Sequence, residues 1–166
     1  MTRERIITIS TILLILLILP ILAACSSQPQ AANNARIKAT WIKPVITGDS
    51  VSIPVSEVDK YTITHFKVSS PTGELAFMAY KFDGKLYARA NICPPCLSES
   101  FSLKKDTLVC DTCGTVFDAR TGAGISGPCV AFPKAAVTYG VKDGNIMMKG
   151  TDLVTAFQNT LNPKKS

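Results

Sequence analysis

Four cysteines in two closely spaced pairs constrain this chain more than any other feature. The pairs are Cys93-x2-Cys96 and Cys110-x2-Cys113, with residues 97–109 between them. Within a Cys-x2-Cys loop both thiolates can turn toward one point, and a second such loop completes a tetrahedron of sulfurs. The spacing therefore predicts a metal site with these four cysteines as ligands.

The spacing leaves the content of this site open. Four thiolates can hold zinc, a single iron or a 2Fe-2S cluster. Disulfides are the alternative, although a bridge within one Cys-x2-Cys pair closes a very short loop and stabilises little. The chain has one histidine, His65, so it cannot by itself supply a metal site that needs two imidazoles. We expect His65 to be a surface or hydrogen-bonded side chain rather than a ligand.

A fifth thiol, Cys129, stands in Gly127-Pro128-Cys129. The sequence allows it three roles: a small buried side chain, half of a disulfide, or a fifth ligand that exchanges with one of the four. We therefore include Cys129 among the candidate metal ligands, after the other four.

The N-terminus has the organisation of an export signal. Arg3 and Arg5 precede an apolar run over residues 6–22, and Leu22-Ala23-Ala24-Cys25 closes it,. This tetrapeptide resembles a bacterial lipobox, which implies a signal peptide over residues 1–24 and a lipid on Cys25. An uncleaved transmembrane helix is the alternative. Either hypothesis places the chain on the extracytoplasmic face of a membrane, with residues 25–35 as a flexible tether.

The remainder of the chain has the pattern of a β protein. Short alternating apolar runs are separated by Gly, Pro and Asp, and Asp83-Gly84 and Asp143-Gly144 each predict a tight hairpin,. Helical spacing occurs only over residues 152–161, with Thr151 as the cap. The predicted strands cover residues 37–45, 50–53, 61–68, 75–82, 85–91, 115–118, 135–141 and 145–149, with a weaker hairpin over 97–109.

These elements predict one mainly β domain over residues 36–162. We expect a small antiparallel β-sandwich or barrel with one C-terminal α-helix. Its predicted parts are an N-terminal β region over 36–91, a cysteine-rich metal lobe over 92–150 and the helix over 151–162.

Charge and motif content argue against several functions. The net charge is +6, but no basic run exceeds pairs such as Lys104-Lys105, so we expect no nucleic-acid partner. The sequence contains no phosphate-binding glycine loop, nucleophile elbow or paired catalytic carboxylates. An electron carrier or metal-binding protein is therefore favoured over an enzyme.

The region from Cys93 to Met148 resembles a Rieske domain. The matching motifs are Cys110-x2-Cys113-Gly114, Phe117-Asp118-Ala119-Arg120-Thr121-Gly122, Gly127-Pro128 and Lys142-Asp143-Gly144-Asn145-Ile146. The resemblance implies a metal lobe made of two hairpins. Cys96 and Cys113 stand where a Rieske domain has its two histidines, so a cluster here would be all-cysteine and of lower reduction potential.

A closer resemblance is to the FtrD-like membrane iron-sulfur proteins. Their pattern is an N-terminal β region, Cys-x2-Cys, Cys-x2-Cys-Gly-x2-Phe and Gly-x-Cys-x3-Pro, the last matching residues 127–133 here. This resemblance implies an iron-sulfur cofactor, a 2Fe-2S cluster first, or iron, with zinc as the alternative. It also implies electron transfer or iron handling beside a membrane iron-transport system, with an iron permease or a redox protein as partner. The competing hypothesis is a binding module with structural zinc or disulfides and no redox role.

Overall fold

The protein is described by a computed structural model that covers residues 35–163. Within this range the chain forms thirteen strands and two helices. The strands are β1 Ile37–Lys38, β2 Thr40–Trp41, β3 Val45–Thr47, β4 Ser50–Pro54, β5 Ile63–Ser70, β6 Gly73–Phe82, β7 Lys85–Ala90, β8 Phe101–Lys104, β9 Thr107–Cys110, β10 Val116–Asp118, β11 Gly124–Ser126, β12 Tyr139–Lys142 and β13 Asn145–Lys149. The helices are α1 Val55–Tyr61 and α2 Gly150–Leu161.

The strands form three sheets. The central sheet has the order β2-β5-β6-β7, the outer sheet β12-β13-β4-β3 and the cysteine sheet β1-β8-β9-β10-β11. All paired strands are antiparallel except β2 and β5. This mainly β architecture confirms the predicted fold class.

The central sheet is buried on both faces, which explains the long apolar run in β6. Leu75, Phe77 and Ala79 pack into one hydrophobic core, together with side chains of the outer sheet and α2. Met78 and Tyr80 point to the opposite face and pack into a second core with the cysteine sheet. Because side chains alternate along a strand, one strand contributes to both cores.

Both predicted hairpins form. Asp83 and Gly84 have φ of 52° and 70°, and Asp143 and Gly144 have φ of 50° and 72°. Two successive residues with positive φ give the turn whose twist matches that of the flanking strands. The hairpin prediction is confirmed at both positions.

The N-terminal strand prediction is wrong in its extent. Residues 37–45 do not form one strand, because β1 pairs with β8, β2 with β5 and β3 with β4. This segment therefore contributes edge strands to all three sheets in turn. The alternating side chains match a continuous strand, and only the tertiary pairing divides it.

The helix predictions also need correction. Helix α1 was not predicted, and it shifts the start of the next strand from Tyr61 to Ile63. Only Val58 of this seven-residue helix is buried, so it has no apolar periodicity to detect,. Helix α2 is confirmed, but its N-cap is Lys149 rather than Thr151, and no side chain caps it.

Two further strand boundaries differ from the sequence predictions. Strand β11 lies between residues 118 and 135, where the sequence predicted no strand, and β12 begins at Tyr139 rather than Ala135. Strand β11 is three residues long and contains Gly124, which gives little strand signal,. The predicted domain boundaries stay predictions.

Part of the N-terminal prediction lies outside the described residues. The signal peptide over 1–24, the lipidation site Cys25 and all but the last residue of the tether belong to that part. Within residues 35–163, no helix is long and apolar enough to cross a membrane.

Candidate metal centre

The first cysteine loop follows the end of β7 directly. The Cys93 N–H donates to the Ser98 carbonyl at 2.8 Å, and the Cys96 N–H donates to the Cys93 carbonyl at 3.2 Å. Leu97 has a φ of 54°, which reverses the chain after Cys96. These bonds close the loop, and the thiols of Cys93 and Cys96 both face the same point.

The second loop joins β9 to β10 in a similar way. The Cys110 N–H donates to the Thr115 carbonyl at 2.9 Å, and the Gly114 N–H donates to the Cys110 carbonyl at 2.9 Å. Gly114 has a φ of 73°, a left-handed conformation that glycine adopts without strain,. This glycine therefore explains the Cys-x2-Cys-Gly pattern.

The structure brings the four predicted ligands together. Their Sγ atoms all lie within 4.8 Å of one another. Cys93 and Cys113 are 4.0 Å apart, and Cys96 and Cys110 are 3.8 Å apart. The edge of a tetrahedron around one ion is about 3.8 Å for a metal–sulfur bond of about 2.3 Å. The donor set therefore has the size of a tetrathiolate metal site.

Each loop contributes one inner and one outer thiol. Cys93 and Cys110 are fully buried, whereas Cys96 and Cys113 are partly exposed. Burial raises the pKa of the Cys93 and Cys110 thiols above its ordinary value. Although burial also opposes ionisation of Cys113, hydrogen bonds from Thr115 and neighbouring thiols lower its pKa to about 6 overall. Cys113 therefore becomes a thiolate, the form that binds metal, more readily than the buried Cys93 and Cys110,.

Cys129 lies beside this group but outside the set of four. Its Sγ is 3.7 Å from the Cys113 Sγ, and its side chain is buried. The Thr115 hydroxyl accepts a hydrogen bond from the Cys129 N–H at 3.1 Å and contacts the Cys113 Sγ at 3.1 Å. All five cysteines of the described range are free thiols in the structure.

A match to a protein family shows which family this chain belongs to. A family model described as "Membrane iron-sulfur containing protein FtrD-like" matches residues 58–159, which is more than half of the chain. The chain belongs to this family. The predicted resemblance is thereby confirmed.

Solved structures that the FtrD-like chain resembles include two ferredoxins and a ferredoxin complex. One is the complex of reduced oxygenase and oxidized ferredoxin in carbazole 1,9a-dioxygenase, at 21% identity and a TM-score of 0.51, covering 63% of this chain and 95% of that chain. The ferredoxin of carbazole 1,9a-dioxygenase from Nocardioides aromaticivorans IC177 has 20% identity, a TM-score of 0.48 and coverage of 65% and 98%. The Sphingomonas yanoikuyae B1 ferredoxin has 18% identity, a TM-score of 0.40 and coverage of 70% and 98%. The first likeness shows the fold, and no curated protein matches the sequence.

The cofactor of this FtrD-like protein is of the iron-sulfur class. The family is one of iron-sulfur proteins, and the chain supplies the donors that such a centre requires, four convergent cysteine thiols,. The roles of the individual cysteines as ligands, and the number of iron atoms, stay predictions.

Two residues near the site differ from what the sequence suggested. Lys134 was not singled out, yet it is fully buried, and its Nζ donates to the Ile92 carbonyl at 2.5 Å. No pattern marks it, because lysine is ordinarily a surface residue. His65 lies on β5 as expected, and it is buried, so of the two expected alternatives the surface position is wrong. The Phe101 backbone hydrogen-bonds its ring, whereas its Nε2 has no hydrogen-bond partner within the described residues.

Proposed function

We propose that this protein is an electron carrier held on the extracytoplasmic face of a membrane by a lipid on Cys25. Its iron-sulfur centre would be held by Cys93, Cys96, Cys110 and Cys113. The observation that carries the proposal is the convergence of these four thiols, from two loops, within 4.8 Å. An iron-sulfur centre in such a site supplies one-electron oxidation and reduction.

The protein environment suits electron transfer near a surface. The inner thiols of Cys93 and Cys110 are enclosed by the second hydrophobic core, which lowers the local dielectric,. The outer thiols of Cys96 and Cys113 are partly exposed. This arrangement shields the centre from bulk water on one side and leaves a short path to a partner on the other.

The surface next to the outer thiols supports contact with a redox protein. Leu97 follows Cys96 and is 78% exposed, and Val130 follows Cys129 and is also exposed. A contiguous apolar patch marks an interaction surface, and we propose that these two side chains belong to one. The ferredoxin fold neighbour is in a complex with an oxygenase, so a redox protein is the class of partner we propose here. The family is described as one of membrane iron-sulfur proteins, which agrees with the lipid anchor that the lipobox resemblance implies. The proposed context of membrane iron transport, with an iron permease nearby, rests on the FtrD-like resemblance alone.

Two kinds of iron centre are compatible with four cysteine ligands, a 2Fe-2S cluster and a single iron ion. The 2Fe-2S cluster predicted from the sequence needs its two pairs of sulfurs on different irons, with bridging sulfides between them. The mutual spacing of at most 4.8 Å favours a single iron bound by all four thiolates. Zinc would occupy the same tetrahedron without redox activity.

A redox titration tests the proposed function. The full chain, purified anaerobically in detergent with its metal, is titrated while its visible absorption is recorded. We expect a reversible one-electron transition in the wild-type protein and none in the Cys110→Ser variant. Absorption that does not respond to reductant or oxidant would contradict electron transfer.

A further inference from the structure

Lys134 is a buried cation for which the described residues provide no carboxylate partner. Its side chain is fully buried, and none of the ion pairs among residues 35–163 includes it. Burying an ammonium group is costly unless an opposite charge lies nearby. The position of Lys134 therefore calls for an anion in the same interior.

The contacts of Lys134 place its ammonium group among residues that adjoin the buried Cys93 and Cys110. Its Nζ donates to the carbonyl of Ile92, the residue directly before Cys93. The same Nζ stands over the rings of Phe117 and Phe101, at 4.6 Å and 5.3 Å from their centroids. Phe101 pairs with Cys110 across β8 and β9. Phe101 and Phe117 belong to the second hydrophobic core, which also contains Cys93 and Cys110.

The electrostatics of Lys134 point the same way. Burial lowers the pKa of its ammonium group to about 8, while Cys93, Cys110, Cys129 and Cys96 act in the opposite direction and favour the charged form. A site with four thiolate ligands is anionic when it holds a divalent or trivalent ion, because the thiolates outnumber the charge of the metal. The loaded site is thus the anion that a buried ammonium group requires.

We propose that Lys134 is the buried counter-charge of the metal centre. Its ammonium group stabilises the anionic, metal-loaded state and raises the reduction potential of an iron-containing centre. The effect on potential rests on the proposed electron-carrier function, whereas the effect on metal affinity holds for any metal that the four thiolates bind. Lys134 acts through the charge of its ammonium group and does not itself bind the metal.

The test replaces the charge with an apolar side chain of similar length. The full-length Lys134→Met variant is compared with the wild type and with Lys142→Met, which removes an exposed lysine from the outer sheet. Zn²⁺ affinity is measured on the metal-free proteins by competition with a chelator. We expect Lys134→Met to bind Zn²⁺ at least tenfold more weakly and Lys142→Met to stay within twofold of the wild type.

The second readout is the reduction potential of the iron-loaded proteins. We expect the redox equilibrium of Lys134→Met with a reference couple to shift about tenfold toward the oxidised form, which is about 59 mV for one electron. Lys142→Met should not shift it. We also expect metal-free Lys134→Met to be at least as stable to urea as the metal-free wild type, because the variant no longer buries an unpaired cation.

The outcomes separate this inference from the proposed function. Unchanged Zn²⁺ affinity in Lys134→Met, or an equal loss in Lys142→Met, would overturn the role of Lys134. A metal-free Lys134→Met variant that does not fold would also overturn it, since the lysine would then serve the fold itself. If the iron-loaded wild type shows no redox transition, the electron-carrier function fails while the Zn²⁺ measurement still decides the role of Lys134.

Discussion

Each cysteine of the candidate centre has its own environment, and this makes single substitutions informative. Cys93 and Cys110 are buried, Cys96 and Cys113 are partly exposed, and Cys129 lies beside the four, with its Sγ 3.7 Å from the Cys113 Sγ. Removing Cys93 or Cys110 should therefore take away a ligand on the buried side of the site, whereas removing Cys129 should leave four ligands in place.

The first prediction compares Cys110→Ser with Cys129→Ser. We expect Cys110→Ser to lose its bound iron and its visible absorption, because a tetrathiolate site loses a buried ligand. Cys129→Ser should keep the iron content of the wild type. Iron per chain and the visible spectrum measure both effects, and loss of iron from Cys129→Ser would instead establish Cys129 as a ligand.

The second prediction concerns the buried histidine. Burial lowers the pKa of His65 to about 4, from an ordinary value of 6.5. Between these two values the unfolded chain binds a proton that the folded protein does not, so stability falls as the pH falls from about 6.5 to about 4. The full effect of this shift is about 3 kcal/mol.

Urea unfolding of metal-free protein at pH 7.5 and pH 4.5 measures this effect. The His65→Phe variant is the control, because it keeps a ring beside Trp41, which lies 5.1 Å from His65 between ring centroids. We expect the wild type to lose more stability than the variant on acidification. Equal losses in the two proteins would show that His65 does not titrate in this range.

At the scale of the elements, the segment after β10 is held against the site by Arg89. This buried side chain donates to the Tyr80 hydroxyl at 2.8 Å, to the carbonyls of Thr121 and Lys134 at 3.0 Å and 2.8 Å, and to the Arg120 carbonyl. One guanidinium group thereby fixes both ends of the segment that contains Cys129. Arg89 on β7 therefore helps to hold the segment of the fifth thiol in place, together with the hydrogen bond from the Cys129 N–H to Thr115.

The third prediction tests this segment through a glycine. Gly122 has a φ of 78°, and a Cβ there would lie 2.2 Å from the Lys134 carbonyl oxygen. We expect Gly122→Ala to destabilise the metal-free protein by at least about 2 kcal/mol, from left-handed strain and the clash with backbone. Gly140→Ala is the matched control, since no atom lies within 4 Å of its added Cβ and its φ is not positive.

Urea unfolding of the two glycine variants gives the comparison. Gly140→Ala should be neutral or slightly stabilising, because alanine restricts the unfolded chain. A Gly122→Ala variant as stable as Gly140→Ala would show that the segment adjusts freely and that Arg89 does not fix it.

The elements differ in how far the sequence could predict them. The two Asp-Gly hairpins and the convergence of the cysteine pairs follow from local chemistry, namely positive φ and ligand spacing, so the sequence was sufficient. The division of residues 37–45 among three sheets depends on distant partners, and α1 buries a single side chain. Lys134 was missed for the same reason, because its burial is a property of the packed cores and not of its sequence neighbours.

At the scale of the whole molecule, the two faces of the central sheet pack into two different hydrophobic cores. One face packs with the outer sheet and α2 into a core that has no part in the candidate site, and the other face packs with the cysteine sheet around the thiols. The metal lobe is thus supported by an independent hydrophobic core. We expect the fold to persist when the site is empty, with stability but not topology depending on the metal.

The fourth prediction concerns the membrane tether. The full chain expressed in bacteria should fractionate with membranes, and the Cys25→Ala variant should lose its lipid. Mass spectrometry of the purified chains measures the lipid directly, with a diacylglyceryl-modified N-terminal cysteine expected in the wild type. A wild-type chain that retains residues 1–24 without lipid would contradict the anchor and favour an uncleaved membrane helix.

The central claim is that the four convergent thiols hold a redox-active iron-sulfur centre. Its most direct test is the metal and acid-labile sulfide content of the full chain, purified anaerobically, together with its visible absorption before and after reduction. We predict stoichiometric iron and an absorption that bleaches on reduction, with the amount of sulfide distinguishing a 2Fe-2S cluster from a single iron. One zinc per chain with no visible bands, or a metal-free protein with two oxidised cysteine pairs, would contradict the claim.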